Sequence, residues 1–550
     1  MAIFEEKKTN PWVAVFLLLL FFALSCPLWH LQDREMFWVE GEYAVAALEM
    51  SSFPPVPMAH GHVLSDVQPL YLVLIKGLVF LGLPLEFALR FLSVLSYFAL
   101  TWLVFWVCKR NCGLQAACAS AAVMFTTTVV FERIGIGYPM ALTAFLLYSG
   151  WMIWIELTLR RSDWQRAWIF AGLFAVLIYF NAGAMGLIYF IVPIIVQRRP
   201  LTVWQKINYP GFYIACLLVA AAILMRMLMA ADLPEDPRSA LPSQFNTSEY
   251  LLELLSFPVN TFFRLMPWSL LLWAPFCAAL IPLQENPLFC KFHRIAFPAL
   301  LLVIWFNPSA TARDLFCLIP LLAVMTGSCY WIVVRRYGHR IMRIAVLCAW
   351  LLAGAGILAA VYLFLPTAML ENVFQRIGFV PEYSLIYKEE QQALMLAAGE
   401  VVMALLLAFL VLRMLRRDRQ RPVWLIVAML FSSTVLLFAA VKFPYGAQNR
   451  SKRGFAEQIR LALAEKKEQT PVYSNLYGLF AEGYYAGLTL RYADLDQLPE
   501  NEELVYIITT DAPSDPNRLW SKILDTKYRD TRFFIYKGQL IRSDEENDDV

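Results

Sequence analysis

The stretch His30–Gln68, HLQDREMFWVEGEYAVAALEMSSFPPVPMAHGHVLSDVQ, decides how the chain is read. It is the longest polar interruption in the N-terminal half. It holds Glu40, Glu42, Glu49, Asp66, His60 and His62 between two strongly apolar segments. Carboxylates and imidazoles are costly to keep at a membrane surface, so they mark a functional site unless the loop is simply solvated.

Working outward, the chain of 550 residues is 59% hydrophobic and only 16% charged. Soluble domains carry about 25% charged residues, so the pattern implies a polytopic membrane protein. A net charge of +3 gives no footprint for nucleic acid. The 17 Trp and 24 Tyr suit interfacial belts. All 10 Cys lie between Cys26 and Cys348, and the C-terminal region has no disulfide framework. Cys108 and Cys112 have no second pair to complete a zinc site. The first apolar run is longer than a signal-peptide core and more spans follow, so an uncleaved first helix is expected.

Spans of about 20 apolar residues, with Lys and Arg gathering on the cytoplasmic side, give the order. Segment 11–30 leaves a cytoplasmic N-terminus, and loop 31–66 lies outside with an interfacial helix. Segment 67–82 is short and carries Lys76, so it reads as an interfacial or re-entrant helix. Spans follow at 85–107, 112–131, 139–159, 165–181, 183–197 and 209–230. The external stretch 231–266 carries an amphipathic piece. Spans at 267–284, 295–306, 315–334, 344–365, 392–414 and 423–441 complete about 13, with an external loop at 366–391. The clusters Lys109-Arg110, Arg160-Arg161, Arg198-Arg199, 335–343 and 416–421 then all face the cytoplasm.

Residues 1–441 form this transmembrane domain. Residues 442–550 read as a small soluble α/β domain outside the membrane. A helix is expected within 451–469, with strands in PVYSNLYG, LTLRYA, ELVYIITT and TRFFIYKGQLI. Further helices are expected near 478–487 and 515–526. The tail SDEENDDV has a disordered composition.

WVEGEYAVAALEM puts Tyr43, Ala46, Ala47 and Met50 on one helical face, able to lie flat on a membrane. Glu40 and Glu42 stand at the helix start, where carboxylates favour the positive dipole end. They are equally candidates for a general base, as is Asp66. His60 and His62, with Asp66, offer ligands for positioning a donor or a divalent metal; otherwise no cofactor is implied. Arg90, Arg133 and Arg313 all fall at the outer surface, where guanidiniums clamp phosphate bidentately or anchor headgroups by snorkelling. There is no Walker motif, Rossmann fingerprint or nucleophile elbow, and cytoplasmic loops are too short for a nucleotide-binding domain.

These features together resemble the GT-C membrane glycosyltransferases of the aminoarabinose-transferase and protein-mannosyltransferase group. The family's P-D-E-G-x-Y-A resembles Trp38-Val39-Glu40-Gly41-Glu42-Tyr43-Ala44. Its V-P-x-x-x-G run ending in K-P-P-L-Y resembles Val56-Pro57 through Gly61 to Pro69-Leu70-Tyr71. Its E-F-x-x-R resembles Glu86-Phe87 through Arg90, and its R-x-x-x-x-D-P resembles Arg133 through Tyr138-Pro139. A late basic residue before a Leu/Pro-rich span resembles Arg313. The departures are at the family's acids and lysines: one catalytic Asp falls on Val39 and a second on Tyr138. One Lys falls on Val67 or Gln68, another near Ala182.

The resemblance implies an all-α polytopic GT-C-like fold with a small C-terminal extracytoplasmic α/β domain, in a bacterial inner membrane. It implies an inverting enzyme moving a sugar from a polyprenyl-phosphate carrier to a lipid (lipid A among them), glycan or protein of the envelope. Arg90, Arg133 and Arg313 would hold the phosphate, and Glu40, Glu42 or Asp66 would act as base. The alternative is an inactive member that binds polyprenyl lipids or scaffolds envelope assembly. A transporter is a third class, for which Glu400 is the lone acid well inside a helix.

Overall fold

The computed structural model describes residues 6, 10–25, 35–51, 55–64, 66–197, 201–230, 247–278, 280–281, 286–365, 369, 376, 391–418, 420–442, 452–464, 470, 472–476, 478–493, 498, 502–513, 515–528 and 531–541. The sequence stretches 366–368, 370–375, 377–390 and the tail SDEENDDV lie outside the described residues.

The N-terminal helices are α1 (Pro11–Ser25), α2 (Trp38–Glu49), α3 (Pro69–Phe80), α4 (Leu85–Thr126), α5 (Thr128–Arg133) and α6 (Met140–Ile155). Then come α7 (Trp164–Val196), α8 (Val203–Ile207), α9 (Pro210–Ala230), the amphipathic α10 (Thr247–Arg264) and α11 (Pro287–Phe306). The last of the bundle are α12 (Ile319–Phe364), α13 (Gln391–Arg417) and α14 (Val423–Lys442). Among the described residues, eight helices are long and apolar enough to cross a membrane. The chain is a multi-pass, all-α membrane protein with a small α/β domain at its C-terminal end.

Two expected pairs of spans are continuous in trace but broken in backbone. Gly113 at φ 80 divides α4, and Gly183 at φ 65 divides α7. Only glycine takes a left-handed φ without a Cβ penalty, so these residues set where each helix turns. Two other expectations are corrected. Spans 315–334 and 344–365 form one helix of 46 residues, α12. The basic run 335–343 contains no proline and one glycine, too little to stop a helix. At 1.5 Å per residue α12 is about 69 Å long, twice a hydrocarbon core. Segment 267–284 is no α-helix among its described residues. It makes short 3-10 turns at Trp268–Leu271 and Ala274–Phe276, where Pro267 and Pro275 remove backbone donors.

The C-terminal domain is built from α15 (Lys452–Ala462), β3 (Val472–Ser474), α16 (Phe480–Ala486), β4 (Leu490–Tyr492), β5 (Leu504–Thr509), β6 (Arg518–Tyr528) and β7 (Thr531–Leu540). The sheet order is β4-β3-β5-β7-β6. The β3 strand pairs in parallel with β4 and β5, and β7 pairs antiparallel with β5 and β6. The helix expected near 515–526 is therefore strand β6. Its charged and polar residues face out from an edge strand, and the hairpin register to β7 overrides local propensity.

The first loop is not a solvated loop. The α2 face of Tyr43, Ala46, Ala47 and Met50 is buried within the protein, where it was expected to lie on lipid. Helix α16 packs on the opposite side of α2, so closely that a Cβ on Gly41 would stand 2.6 Å from the Ala481 amide nitrogen. Met36 N–H donates to Tyr485 Oη at 2.8 Å, and Arg453 pairs with Glu86 at 3.1 Å. The N–H of Tyr492 reaches the carbonyl of His60 at 3.4 Å. These bonds dock the C-terminal domain on α2 and the start of α4.

Candidate active site

Glu40 sits at the third position of α2, where its carboxylate receives the Phe37 amide at 2.8 Å. The same two oxygens take Arg90 from the second turn of α4. Arg90 Nε donates to Oε1 at 2.9 Å and a terminal N–H to Oε2 at 3.1 Å. The Gly137 amide adds a bond to Oε1 at 2.8 Å. Arg90 also donates to the Glu35 carbonyl at 3.2 Å. Both side chains are 1% exposed. Glu40 and Arg90, expected as base and phosphate clamp, face one another. The pair ties α2, α4 and the α5–α6 turn into one unit.

That turn carries the site. Ser93 Oγ donates to the Tyr138 carbonyl at 2.9 Å and accepts from its amide at 3.0 Å. Tyr71 Oη donates to the Leu89 carbonyl at 2.7 Å. Gly137 is pressed on α4, where a Cβ would lie 2.8 Å from that of Leu89. The rings of Tyr71, Tyr43 and Tyr138 then form an edge-to-face ladder at 5.7 and 5.6 Å. The Arg313 guanidinium caps the ladder, 4.4 Å from the Tyr138 ring centre. Cation–π contacts of this kind hold a guanidinium while leaving its edge N–H groups for a ligand.

Glu42, one helical position past Gly41, is buried beside this ladder. Burial, then Tyr138 and Glu42, push the Tyr43 hydroxyl well above its ordinary range. Burial also raises Tyr138, with Arg313 opposing and Asp314 and Glu42 adding.

The cations converge. Burial comes first in pulling the Arg133 guanidinium below its ordinary value; the like charges of Arg313 and Arg264 add to it, and Glu132 opposes. Arg133 Nε is buried with no hydrogen-bond partner. Arg133 and Arg313 line a narrow cleft with Ser93, Tyr138, Met140 and Phe316. Near it, Thr128 N–H donates to the Met266 carbonyl at 3.0 Å and Trp268 Nε1 to Thr126 Oγ1 at 2.8 Å. These bonds tie the end of α10 to the α4–α5 junction. Below Trp268 opens an apolar cavity of about 700 Å3 between α12 and α14, lined by Val123, Tyr330, Trp424 and Phe431 among others.

Arg264 and Asp314 are absent from the sequence-derived set. Arg264 ends the amphipathic α10, where a basic residue reads as a dipole partner. Asp314 is buried next to Arg313. Its Oδ2 takes the Thr311 amide at 2.6 Å and hydroxyl at 3.1 Å, and its Oδ1 takes the Tyr189 hydroxyl at 3.2 Å. Burial raises its carboxyl above the usual range. The dipeptide Arg313-Asp314 before a run of apolar residues was the signal that could have found it.

His60 and His62 have another role. His60 and Gly61, at φ 54 and 83, are the two turn residues of the hairpin Met58–Ala59/His62–Val63. The His60 ring stacks on Phe480 at 4.8 Å and its Nδ1 lies 3.1 Å from the Leu490 carbonyl. His62 packs its edge on Tyr492 at 6.1 Å. Asp66 is exposed. Among the described residues no three His, Cys, Asp or Glu side chains converge as metal ligands. His60, His62 and Asp66 are thus a docking turn and a surface acid, with no shared coordination point.

No family model and no curated protein matches the sequence. The fold matches that of ArnT from Cupriavidus metallidurans bound to undecaprenyl phosphate. The TM-score is 0.64 and the identity 15%, over 96% of this chain and 98% of that one. The apo form of the same ArnT superposes with a TM-score of 0.62 and 14% identity, over 96% and 97% of the two chains. The chain thus shares the fold of ArnT.

Proposed function

We propose that this GT-C-fold protein transfers a sugar from a polyprenyl-phosphate carrier to an envelope lipid, glycan or protein at the outer face of a bacterial inner membrane. The observation that carries this is that Arg133 and Arg313 line one cleft near an apolar cavity, with the Arg133 Nε buried and without a hydrogen-bond partner. Like charges on two neighbouring guanidiniums disfavour one another, and an anion between them relieves this. A lipid-linked phosphate supplies that anion, and its isoprenoid chain suits the apolar cavity. ArnT was crystallised with undecaprenyl phosphate, which makes that lipid the natural probe.

In this scheme Arg133 and Arg313 take the phosphate oxygens, with Arg264 adding charge. The acceptor hydroxyl attacks the anomeric carbon, the bond from that carbon to the phosphate oxygen breaks, and the polyprenyl phosphate leaves. The arginines stabilise the charge developing on the leaving oxygen. Glu42 receives the acceptor proton, because it is buried next to Tyr43 of the ladder, whereas Glu40 is committed to Arg90 and Asp66 is exposed. Glu40 and Arg90 act as positioning residues. The C-terminal domain lies on the same side and closes over α2.

The reading is tested by deleting the gene in its host and comparing envelope glycans by mass spectrometry. Restoration of a lost sugar by wild type but not by Glu42→Gln supports transfer with Glu42 as base. Restoration by both moves the base to Asp314. Val39 and Tyr138, standing where the family has acids, favour a second reading as a polyprenyl-lipid binder without transfer. No glycan change alongside measured undecaprenyl phosphate binding would establish that one.

A further inference from the structure

The far end of α6 carries a second constellation. From Met140 to Arg160 the helix and its terminal π turn span 21 residues, about 31 Å, so this end lies one membrane thickness from Tyr138. Glu156–Arg160 form the π turn, a helical irregularity often found at functional sites. Glu156 takes Arg110 on Oε1 at 3.3 Å and Arg160 on Oε2 at 3.2 Å. Arg160 also donates to Asn111 Oδ1 at 2.9 Å, and Asn286 Nδ2 donates to the same oxygen at 3.0 Å. The glycine break at Gly113 places Arg110 and Asn111 here, and the start of α11 brings Asn286.

These groups ring the mouth of a cleft of about 550 Å3 between α4, α6 and α11. Its depth is apolar, with Leu103, Phe145, Met152 and Phe289 among the lining residues. Ser149 is among the lining residues, with its Oγ buried and without a hydrogen-bond partner. Trp106 and Leu288 at the rim are 52% and 57% exposed. Apolar rings exposed beside a polar mouth mark a lipid-facing edge.

We propose that this cleft binds an acidic glycerophospholipid. Its phosphodiester lies on Arg110 and Arg160, a headgroup hydroxyl donates to Glu156, and one acyl chain fills the apolar depth. Both guanidiniums are partly exposed and carry more N–H donors than Glu156 and Asn111 consume. The mouth has two positive charges to one negative, which favours an anionic head over a zwitterionic one. An inorganic anion has no use for the apolar depth. A polyprenyl monophosphate would set its second negative charge against Glu156 and bring no donor for it. The site stands whether or not the transfer reading does, because it shares no residue with the cation cluster at the other end of α6.

The test uses the full chain in detergent, with retained lipids counted by native mass spectrometry. The probes are phosphatidylglycerol, phosphatidylcholine, undecaprenyl phosphate and inorganic phosphate. Wild type should retain phosphatidylglycerol in preference to phosphatidylcholine. The double variant Arg110→Gln/Arg160→Gln should lower that retention about tenfold. Ser149→Phe should lower it similarly by filling the depth while leaving the arginines in place. Arg161→Gln, which removes an exposed charge on the same turn, should leave it unchanged, and undecaprenyl phosphate retention should be the same in all three. Equal retention of phosphatidylcholine would overturn the proposal. So would displacement of phosphatidylglycerol by inorganic phosphate or undecaprenyl phosphate, or wild-type retention in Ser149→Phe. If the double variant does not fold, Ser149→Phe decides the matter by itself.

Discussion

Arg90 and Glu40 lock together by two charge-assisted bonds of 2.9 and 3.1 Å, with both side chains out of solvent. A carboxylate that also accepts two backbone amides has no lone pair directed at a substrate. Its work is to hold the α5–α6 turn against α2 and α4, and so to set where Tyr138 presents Arg313.

Glu40→Gln should therefore act on folding before it acts on chemistry. It leaves Arg90 buried without its counter-charge, which costs roughly 3–5 kcal/mol. Thermal unfolding in detergent should show a clear loss of stability. The double variant Glu40→Gln/Arg90→Met should recover part of it. An unshifted melting curve for Glu40→Gln would contradict the structural role.

Glu42→Gln should show the opposite profile. General-base catalysis supplies about 10²–10⁴-fold in rate. The variant should melt like wild type, bind undecaprenyl phosphate and lose sugar transfer by a factor in that range, measured as restored envelope glycan. Full activity would remove Glu42 from the mechanism.

Arg133→Gln should weaken undecaprenyl phosphate. A hydrogen bond to a charged group contributes about 1.5–3 kcal/mol, or about 10–100-fold in affinity. Relieving the repulsion from Arg313 and Arg264 should also leave the free protein at least as stable as wild type. Both quantities follow from ligand titrations monitored by thermal shift. Unchanged affinity would place the phosphate elsewhere.

Docking of the C-terminal domain should depend on pH through His60. Burial pushes its imidazole down to about 4, against the ordinary 6.5, so the docked state resists protonation. Undocked or unfolded chain takes up the proton first. The stability that His60 lends to docking is therefore complete above pH 6.5 and is lost as pH falls towards 4. Protection factors in α16 and strand β4, corrected for the intrinsic pH dependence of amide exchange, should fall across that window, and His60→Phe should flatten the dependence. Protection factors that do not change between pH 7 and 4.5 would rule the link out.

How much of this was legible beforehand varies by residue. The helix Trp38–Glu49 and the amphipathic Thr247–Arg264 follow from hydrophobic spacing, because period 3.6 is a local property. Arg133 and Arg313 stand out in the sequence because arginines at span ends are few, and the fold brings both to one cleft. The partners of Glu40 and of His60 lie 50 and 430 positions away in sequence, and no spacing rule reaches that far. Strand β6 was misread as a helix because its pairing with β7 is what fixes it.

The sequence by itself determined that the chain crosses a membrane many times and that a small α/β domain follows. Those facts rest on composition and period, which each segment carries alone. Only the tertiary structure decided which acid meets which arginine, that α2 is covered by α16, and that Arg264 joins Arg133 and Arg313. Those depend on how helices pack around glycine breaks at Gly113 and Gly183, and on the close approaches that Gly41 and Gly137 allow. Side-chain pairing across hundreds of residues is settled by that packing.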